Sequence, residues 1–241
     1  MLKAARWLTT GQVHCRFFPK ATPDAARKRL RKLTEAGYLT RFREHQMSEA
    51  IFALGPEGKR VLEKNGEELI LERKPPNQLP HFMGVNDLRI AAEMAGPVSY
   101  FFSYWELPGV SWRYRVIPDA VFSMHGKTFA LEFDRGVEGV RFFVNTKIKF
   151  YRKGFEGFPL SAILVIADRK SRMLSLARDI PNERGEFLFS TLDEVQEYGL
   201  LAPVFRRHAN GEAVSLFLGS LVEVSCRQES FVSSRRMKSG S

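Results

Sequence analysis

The stretch IPDAVFSMHGKTFALEFDRG, residues 117–136, carries three acidic residues on two apolar segments that are joined by a short turn. His125-Gly126 between such segments predicts a tight β-hairpin turn. Because the side chains of a strand alternate between faces, Glu132 and Asp134 are expected on one face, about 7 Å apart along the strand. The residues expected to face the core are Phe129, Leu131 and Phe133. The preceding strand, expected at residues 113–124, brings Asp119 towards the acidic face.

Three neighbouring carboxylates suggest a metal site. Carboxylates that are brought together repel one another, and their pKa values rise unless a cation lies between them. Mg²⁺ or Mn²⁺ is the natural cation for an all-oxygen site, and such an ion activates water and neutralises charge on a phosphodiester. Asp119, Glu132 and Asp134 are therefore the candidate metal-binding and catalytic residues. The alternative is a set of solvated carboxylates at the end of a sheet.

A lysine on the next helix is the fourth candidate catalytic residue. Residues 137–155 have the apolar spacing of a helix, and Lys147 and Tyr151 are four residues apart, so they share one side of it. If that side faces the acids, Lys147 balances their charge or contacts the scissile phosphate.

The second half of the chain alternates between helical and strand patterns. The expected order is helix, three strands, helix, strand, helix and strand, which predicts an α/β (α+β) domain. Outside the hairpin and its following helix, the segments are residues 81–95, 98–107, 161–167, 169–180 and 185–192. The continuous apolar run SAILVIA, residues 161–167, predicts a central buried strand.

The first 74 residues predict a winged helix-turn-helix. A first helix is expected within residues 8–18, and Thr22 and Pro23 are typical of the start of a second helix that Gly37 ends. Two strands and a closing helix follow. The proline-rich segment 72–80 is a predicted linker. The expected division is therefore a winged helix domain at 1–74, an α/β domain at 81–227 and a flexible tail at 228–241.

The positive charge of the chain is concentrated near its start. The net charge is +10, and residues 3–43 hold eleven Lys or Arg against two Asp or Glu. A basic helix suited to the major groove predicts double-stranded DNA as the partner. The candidate DNA-binding residues are Arg27, Lys28, Arg31, Lys32 and Arg43. Winged helices also serve in protein–protein binding, so an adaptor that meets acidic proteins is the alternative.

Several function classes lack their sequence signals. No apolar run approaches the roughly 20 residues of a membrane span. No secretory signal opens the chain, and Cys15 and Cys226 stand alone, so a cytoplasmic protein with reduced thiols is expected. The sequence has no P-loop, no zinc-ligand spacing and no histidine cluster of the relaxase type.

Four short motifs carry a family resemblance. HFMGVND (81–87), IPDAVF (117–122), LEFDRG (131–136) and TKIKFY (146–151) follow a winged helix and a short linker. This arrangement, over roughly residues 8–205, resembles the replication-relaxation family of bacterial mobile elements and plasmids. The order of elements also resembles the PD-(D/E)XK nuclease-like core. The resemblance implies a DNA-associated protein that acts in replication, relaxation or transfer of plasmid or mobile-element DNA.

The nuclease resemblance assigns roles to particular residues. Asp119 and Glu132 match the two metal-binding acids of that core. Asp134 stands where a nuclease carries lysine, so either Lys147 takes over that role, or the site binds metal without cleaving, or it does neither. His81 and Asn86 match the first-helix motif, and His81 either leans towards the acids or is satisfied by local hydrogen bonds.

Three functions remain open on the sequence. The first is a DNA-binding protein with a metal-dependent nicking activity. The second is a non-enzymatic regulator whose α/β domain forms a homodimer or recruits replication or mobilisation proteins. The third is the adaptor for acidic proteins.

Overall fold

The computed structural model describes residues 1–43, 48–66, 71–110, 116–149, 151, 160–182 and 186–217. It has helices and two sheets and belongs to the α+β class, as predicted. The helices are α1 (Leu2–Ala5), α2 (Thr10–Phe17), α3 (Pro23–Glu35), α4 (Pro56–Glu63), α5 (Leu79–Ala95), α6 (Val140–Phe143), α7 (Lys170–Asp179) and α8 (Leu192–Tyr198). The strands are β1 (Trp7–Thr9), β2 (Leu39–Phe42), β3 (Ile51–Leu54), β4 (Val98–Ser103), β5 (Ala120–Met124), β6 (Lys127–Asp134), β7 (Ala162–Ala167) and β8 (Phe187–Thr191).

The larger sheet has the strand order β4-β5-β6-β7-β8. Strands β4, β5 and β6 are antiparallel, and β7 and β8 run parallel to β6. The hairpin turn is confirmed, because His125 and Gly126 have φ angles of 48° and 73°, which a two-residue turn of this kind needs. Strand β7 lies inside the sheet, between β6 and β8, and is buried throughout, as the apolar run predicts.

Two strands are shorter than the sequence predicts. The strand expected at 98–107 ends at Ser103, where the chain turns. The strand expected at 113–124 begins only at Ala120, residues 116–119 lie outside it, and residues 111–115 fall outside the described ranges. Helix α8, directly after β8, was not predicted.

The core of the larger sheet has two layers, one on each face of strand β6. Phe129, Leu131 and Phe133 pack on one side with residues of α5 and α8, as the alternation predicts. Ala130 packs on the other side, against residues of α6 and α7. Glu132 faces this second layer and is fully buried there. The sheet therefore carries a carboxylate into a layer that is built mainly from apolar side chains.

The expected elements of the first 74 residues are present. Thr9 caps α2 in a reciprocal capping box with Gln12, and Thr22 caps α3. Gly37, at a φ of 74°, follows α3 where a glycine end was predicted. Strand β1, which the sequence analysis missed, completes a sheet of order β1-β3-β2.

Helix α5 contacts both sheets. The Asn86 side chain is fully buried and donates to the backbone oxygens of Ala5, at 3.0 Å, and Trp7, at 2.8 Å. Ile90 packs in the core of the N-terminal segment, and the Phe82 ring stacks on that of Trp105. The domain boundary at 72–80 stays a prediction, and α5 begins within it. The predicted tail at 228–241 lies outside the described residues.

Among the helices within the described ranges, none combines the length and the apolar character that a membrane span requires.

Candidate active site

Asp119 and Glu132 lie side by side at one end of the β5–β6 hairpin. Ala120 pairs with Leu131, so Asp119, the residue before β5, lies next to Glu132 and Phe133. The Asp119 carboxylate accepts a hydrogen bond from the Phe133 backbone nitrogen at 2.7 Å. Both acids are buried. The hairpin register, which the tight turn fixes, therefore brings these two carboxylates together.

Lys147 and Tyr151 approach Glu132 from the following helix. Lys147 Nζ donates to Glu132 Oε2, and the Tyr151 hydroxyl donates to Glu132 Oε1. Lys147 Nζ is also 3.9 Å from Asp119 Oδ1. The prediction that Lys147 and Tyr151 share a side of the helix is confirmed, and that side faces the acids.

The helix that carries Lys147 is not regular. After α6 it continues as a π-helical segment at Val144–Ile148, a wider turn that is rare and often occurs at functional sites. The sequence analysis did not predict this segment, and nothing in its residues explains it. Because Lys147 lies within it, the wider turn helps to set where the ammonium group meets Glu132.

His81 reaches the same pair from α5. His81 Nε2 is 3.0 Å from Asp119 Oδ1, so of the two alternatives left open, the structure shows the one in which His81 leans towards the acids. A Cβ atom at Gly84 would lie 2.0 Å from the Phe133 ring. Glycine at this position therefore lets α5 pack closely on β6, which holds His81 within reach of Asp119.

Burial and the mutual attraction of charges set the protonation of the centre. Burial raises the pKa of Glu132 to about 7, although the Lys147 ammonium works in the opposite direction. Burial also acts to raise the pKa of Asp119, but hydrogen bonding from His81 and the charge of Lys147 outweigh it and hold that pKa below its usual value. Burial acts to lower the pKa of Lys147, and the carboxylates of Glu132 and Asp119 more than reverse this. Burial and the Glu132 charge raise the pKa of the Tyr151 hydroxyl.

Asp134 does not join this pair. Its two oxygens accept from Nε and Nη2 of Arg172 on α7, each at 2.8 Å, and one oxygen also accepts from the Gly136 backbone nitrogen. Among the described residues, no three His, Cys, Asp or Glu side chains form a group that could hold a metal ion. The structure therefore brings Asp119 and Glu132 together and pairs the third acid, Asp134, with Arg172, and metal binding by these acids stays a prediction. Sequence analysis missed Arg172, and only its place on the helix after the central strand could have pointed to it.

Four of the five predicted DNA-binding residues lie around a separate groove. This groove has a volume of about 980 Å³ and lies between α2, α3 and the strands β2 and β3. Five arginine and lysine side chains line it: Arg27, Lys28, Arg31, Arg41 and Arg43. Lys32 is exposed on α3 but does not line the groove, and Arg41 was missed by the sequence analysis. Exposed ion pairs join Arg27 to Asp24 and Arg31 to Glu35.

The sequence profile of a family described as replication-relaxation matches residues 1–157, more than half of the chain. The chain belongs to the replication-relaxation family. Membership confirms the resemblance seen in the sequence and links the chain to the replication or relaxation of mobile elements. The matched range contains the cationic groove and also His81, Asp119, Glu132, Lys147 and Tyr151. Arg172 lies beyond it. No curated protein and no solved structure matches the chain.

Replacing Lys147 should destabilise the fold in a pH-dependent way. Glu132 binds its proton more tightly in the folded chain, where its pKa is about 7, than at its usual value of 4.5, so Glu132 makes stability fall as pH rises between these values. In Lys147→Met the charged Glu132 side chain has lost its neighbouring cation, so the pKa of Glu132 rises further. We expect a loss of about 3 kcal/mol in the free energy of unfolding at about pH 8 and a smaller loss at about pH 5.5, where a protonated Glu132 needs no cation.

Urea unfolding at the two pH values measures this difference, with the exposed Lys149→Met as the matched control. Equal losses at both pH values would show that Lys147 does not neutralise Glu132.

Proposed function

We propose that this chain is a DNA-binding protein of a plasmid or mobile element whose first 74 residues act as a winged helix domain and whose α/β domain is nuclease-like. The single observation that carries the proposal is the groove beside α3, in which five basic side chains converge. In this proposal α3 approaches the major groove of a duplex, and Arg41 and Arg43 contact the flanking phosphates.

The charges around the groove favour a polyanion over an acidic protein surface. The basic residues of α3 are exposed, and their ion pairs with Asp24 and Glu35 are surface pairs that contribute little to stability. Phosphates can therefore replace these partners at small cost. A duplex also offers a regular line of phosphates that matches the row of cations along α3.

Removing groove cations should weaken duplex binding and its salt dependence. Arg31→Ala and Arg41→Ala should each lower the affinity for a duplex and reduce the slope of log K against log salt by about one, because each releases one phosphate contact. Arg178→Ala removes a comparably exposed arginine on α7, outside the groove, and should change neither quantity.

Fluorescence anisotropy with a labelled duplex at several salt concentrations measures both effects. Binding that Arg31→Ala and Arg178→Ala change equally would contradict the proposed groove.

A second candidate function is metal-dependent nicking of DNA, and the approach of Lys147 to the Asp119–Glu132 pair favours it. Two acids on adjacent strand ends with one lysine form the residue set of the PD-(D/E)XK nucleases, with the lysine supplied by the helix instead of position 134. Mg²⁺ often binds through only one or two carboxylates and completes its shell with water and phosphate oxygens. The donor set therefore fits such an ion, and Asp119 and Glu132 would hold it.

The metal would compete with existing bonds of the chain. All four oxygens of the two carboxylates already accept hydrogen bonds, from His81, the Phe133 backbone, Tyr151 and Lys147. When bound, the ion would supply an activated water and neutralise charge on a phosphodiester. Lys147, released from Glu132, would then be placed to contact a phosphate. His81 would keep Asp119 oriented.

A nicking assay separates the enzyme from the non-enzymatic regulator. If the centre cuts, supercoiled plasmid should be nicked with Mg²⁺ or Mn²⁺, and Glu132→Ala should lower the rate at least about a hundredfold, since it removes a metal ligand. Glu212→Ala, an exposed carboxylate outside the centre, is the control and should nick normally.

Nicking that survives Glu132→Ala would exclude this centre as its source. Duplex binding without any nicking in either metal would leave the regulator as the function.

A further inference from the structure

A second groove runs along α5 on the other side of α2. Its floor is one face of α5, from Met83 to Ala95, and its walls are α2 and α8. The groove has a volume of about 620 Å³ and is mostly apolar. The twelve steps along the helix from Met83 to Ala95 correspond to about 18 Å, or about three turns. Nothing in the proposed DNA-binding or nicking functions uses this surface.

One carboxylate interrupts the apolar floor. Asp87 Oδ1 accepts from Gln12 Nε2 at 2.9 Å, the only hydrogen bond found for its side chain within the described part of the chain. Burial raises the pKa of Asp87 to about 6, the Gln12 hydrogen bond lowers it, and the charge of Glu49 raises it. Glu49 lies at the rim, where it accepts from the Gly11 backbone nitrogen at 2.6 Å. A cation that entered the groove would relieve the burial cost of the Asp87 charge.

We propose that this groove binds an amphipathic α-helix of a partner protein, whose apolar side chains cover the α5 floor and whose single Lys or Arg on that side pairs with Asp87. The shape supports this occupant, because a floor of three helical turns between two helical walls matches a helix laid into a groove. Met83 and Met94 line the groove, and methionine side chains adapt to a partner's surface.

Charge complementarity favours a basic helix over the other occupants. Asp87 and Glu49 are acidic, and no Lys or Arg stands among the described residues that line this groove, so a nucleic acid backbone is repelled here. Glu49 also borders the cationic groove, where basic side chains outweigh it. A small amine would pair with Asp87 but would leave most of an apolar floor of about 18 Å uncovered. A helix satisfies the carboxylate and the apolar floor together.

The test uses two labelled, stapled helical peptides of about 14 residues, which span about 20 Å. They have the same leucine face and differ only at its central position, which is Lys in one and Met in the other. Anisotropy with the full chain should show about tenfold tighter binding of the Lys peptide, and Asp87→Asn should abolish this difference, because the amide keeps the shape of the side chain and its bond to Gln12 but not its charge. Ala91→Arg, which fills the groove floor, should weaken both peptides about tenfold or more.

A chemical readout reports occupancy without relying on the Asp87 and Ala91 variants. Cys15 is exposed at the wall of the groove, with its Sγ 3.5 Å from Met94 Sδ. In a Cys226→Ser background, the Lys peptide should slow modification of Cys15 by a thiol reagent at least about fivefold, since the bound helix covers it.

Four outcomes would overturn the proposal. Equal binding of the two peptides to the unmodified chain, or no protection of Cys15, would exclude pairing with Asp87 in this groove. Hexylamine that protects Cys15 as well as the peptide does would identify a small-ligand pocket instead. A chain that sediments as a dimer, and becomes a monomer with Ala91→Arg, would show that a second copy covers the groove.

DNA binding is measured separately, and neither Asp87 nor Ala91 lines the cationic groove, so this proposal and the proposed function can fail independently.

Discussion

The burial of the Glu132 carboxylate is the constraint on which the α/β domain depends. Strand β6 carries this side chain into an apolar layer, where an unpaired charge would cost several kcal/mol. The chain meets this cost with two donors from one helix, Lys147 and Tyr151. The neighbouring acid Asp119 adds to the cost by repulsion and is itself held by His81 and the Phe133 backbone. The hairpin, helix α5 and the helix of Lys147 are therefore tied together through this pair of carboxylates.

The same arrangement bears on the proposed phosphodiester chemistry in two opposite ways. Two carboxylates and a lysine in contact are what a divalent metal and a phosphate would need, yet their oxygens already have donors from the protein. Asp134, the third acid of the sequence motif, is held by Arg172 and ties the end of β6 to α7 instead. The cationic groove beside α3 differs chemically from the Asp119–Glu132 centre, because its basic side chains are exposed and its ion pairs lie at the surface. The proposed DNA binding and the proposed cleavage therefore depend on different residues and can be lost separately.

Patterns that depend on local physics could be predicted from the sequence. The caps of α2 and α3, the His125-Gly126 turn, the alternation along β6 and the shared side of Lys147 and Tyr151 all follow from short-range rules. What could not be predicted depends on distant partners. No residue near Asp134 in the sequence indicates that Arg172 would pair with it. Nothing in residues 144–148 predicts a π-helical turn. His81 was ambiguous because its approach to Asp119 depends on how closely Gly84 lets α5 pack on β6.

The pairing of Lys147 with Glu132 is the central claim, and a double-mutant cycle on the free energy of unfolding tests it most directly. Lys147→Met, Glu132→Gln and the double variant would be unfolded in urea at about pH 8, where the carboxylate is charged. We expect a coupling energy of about 2 kcal/mol or more, with the double variant more stable than Lys147→Met alone, because the neutral amide no longer needs a cation. Additive effects, with a coupling energy of about zero, would contradict the account.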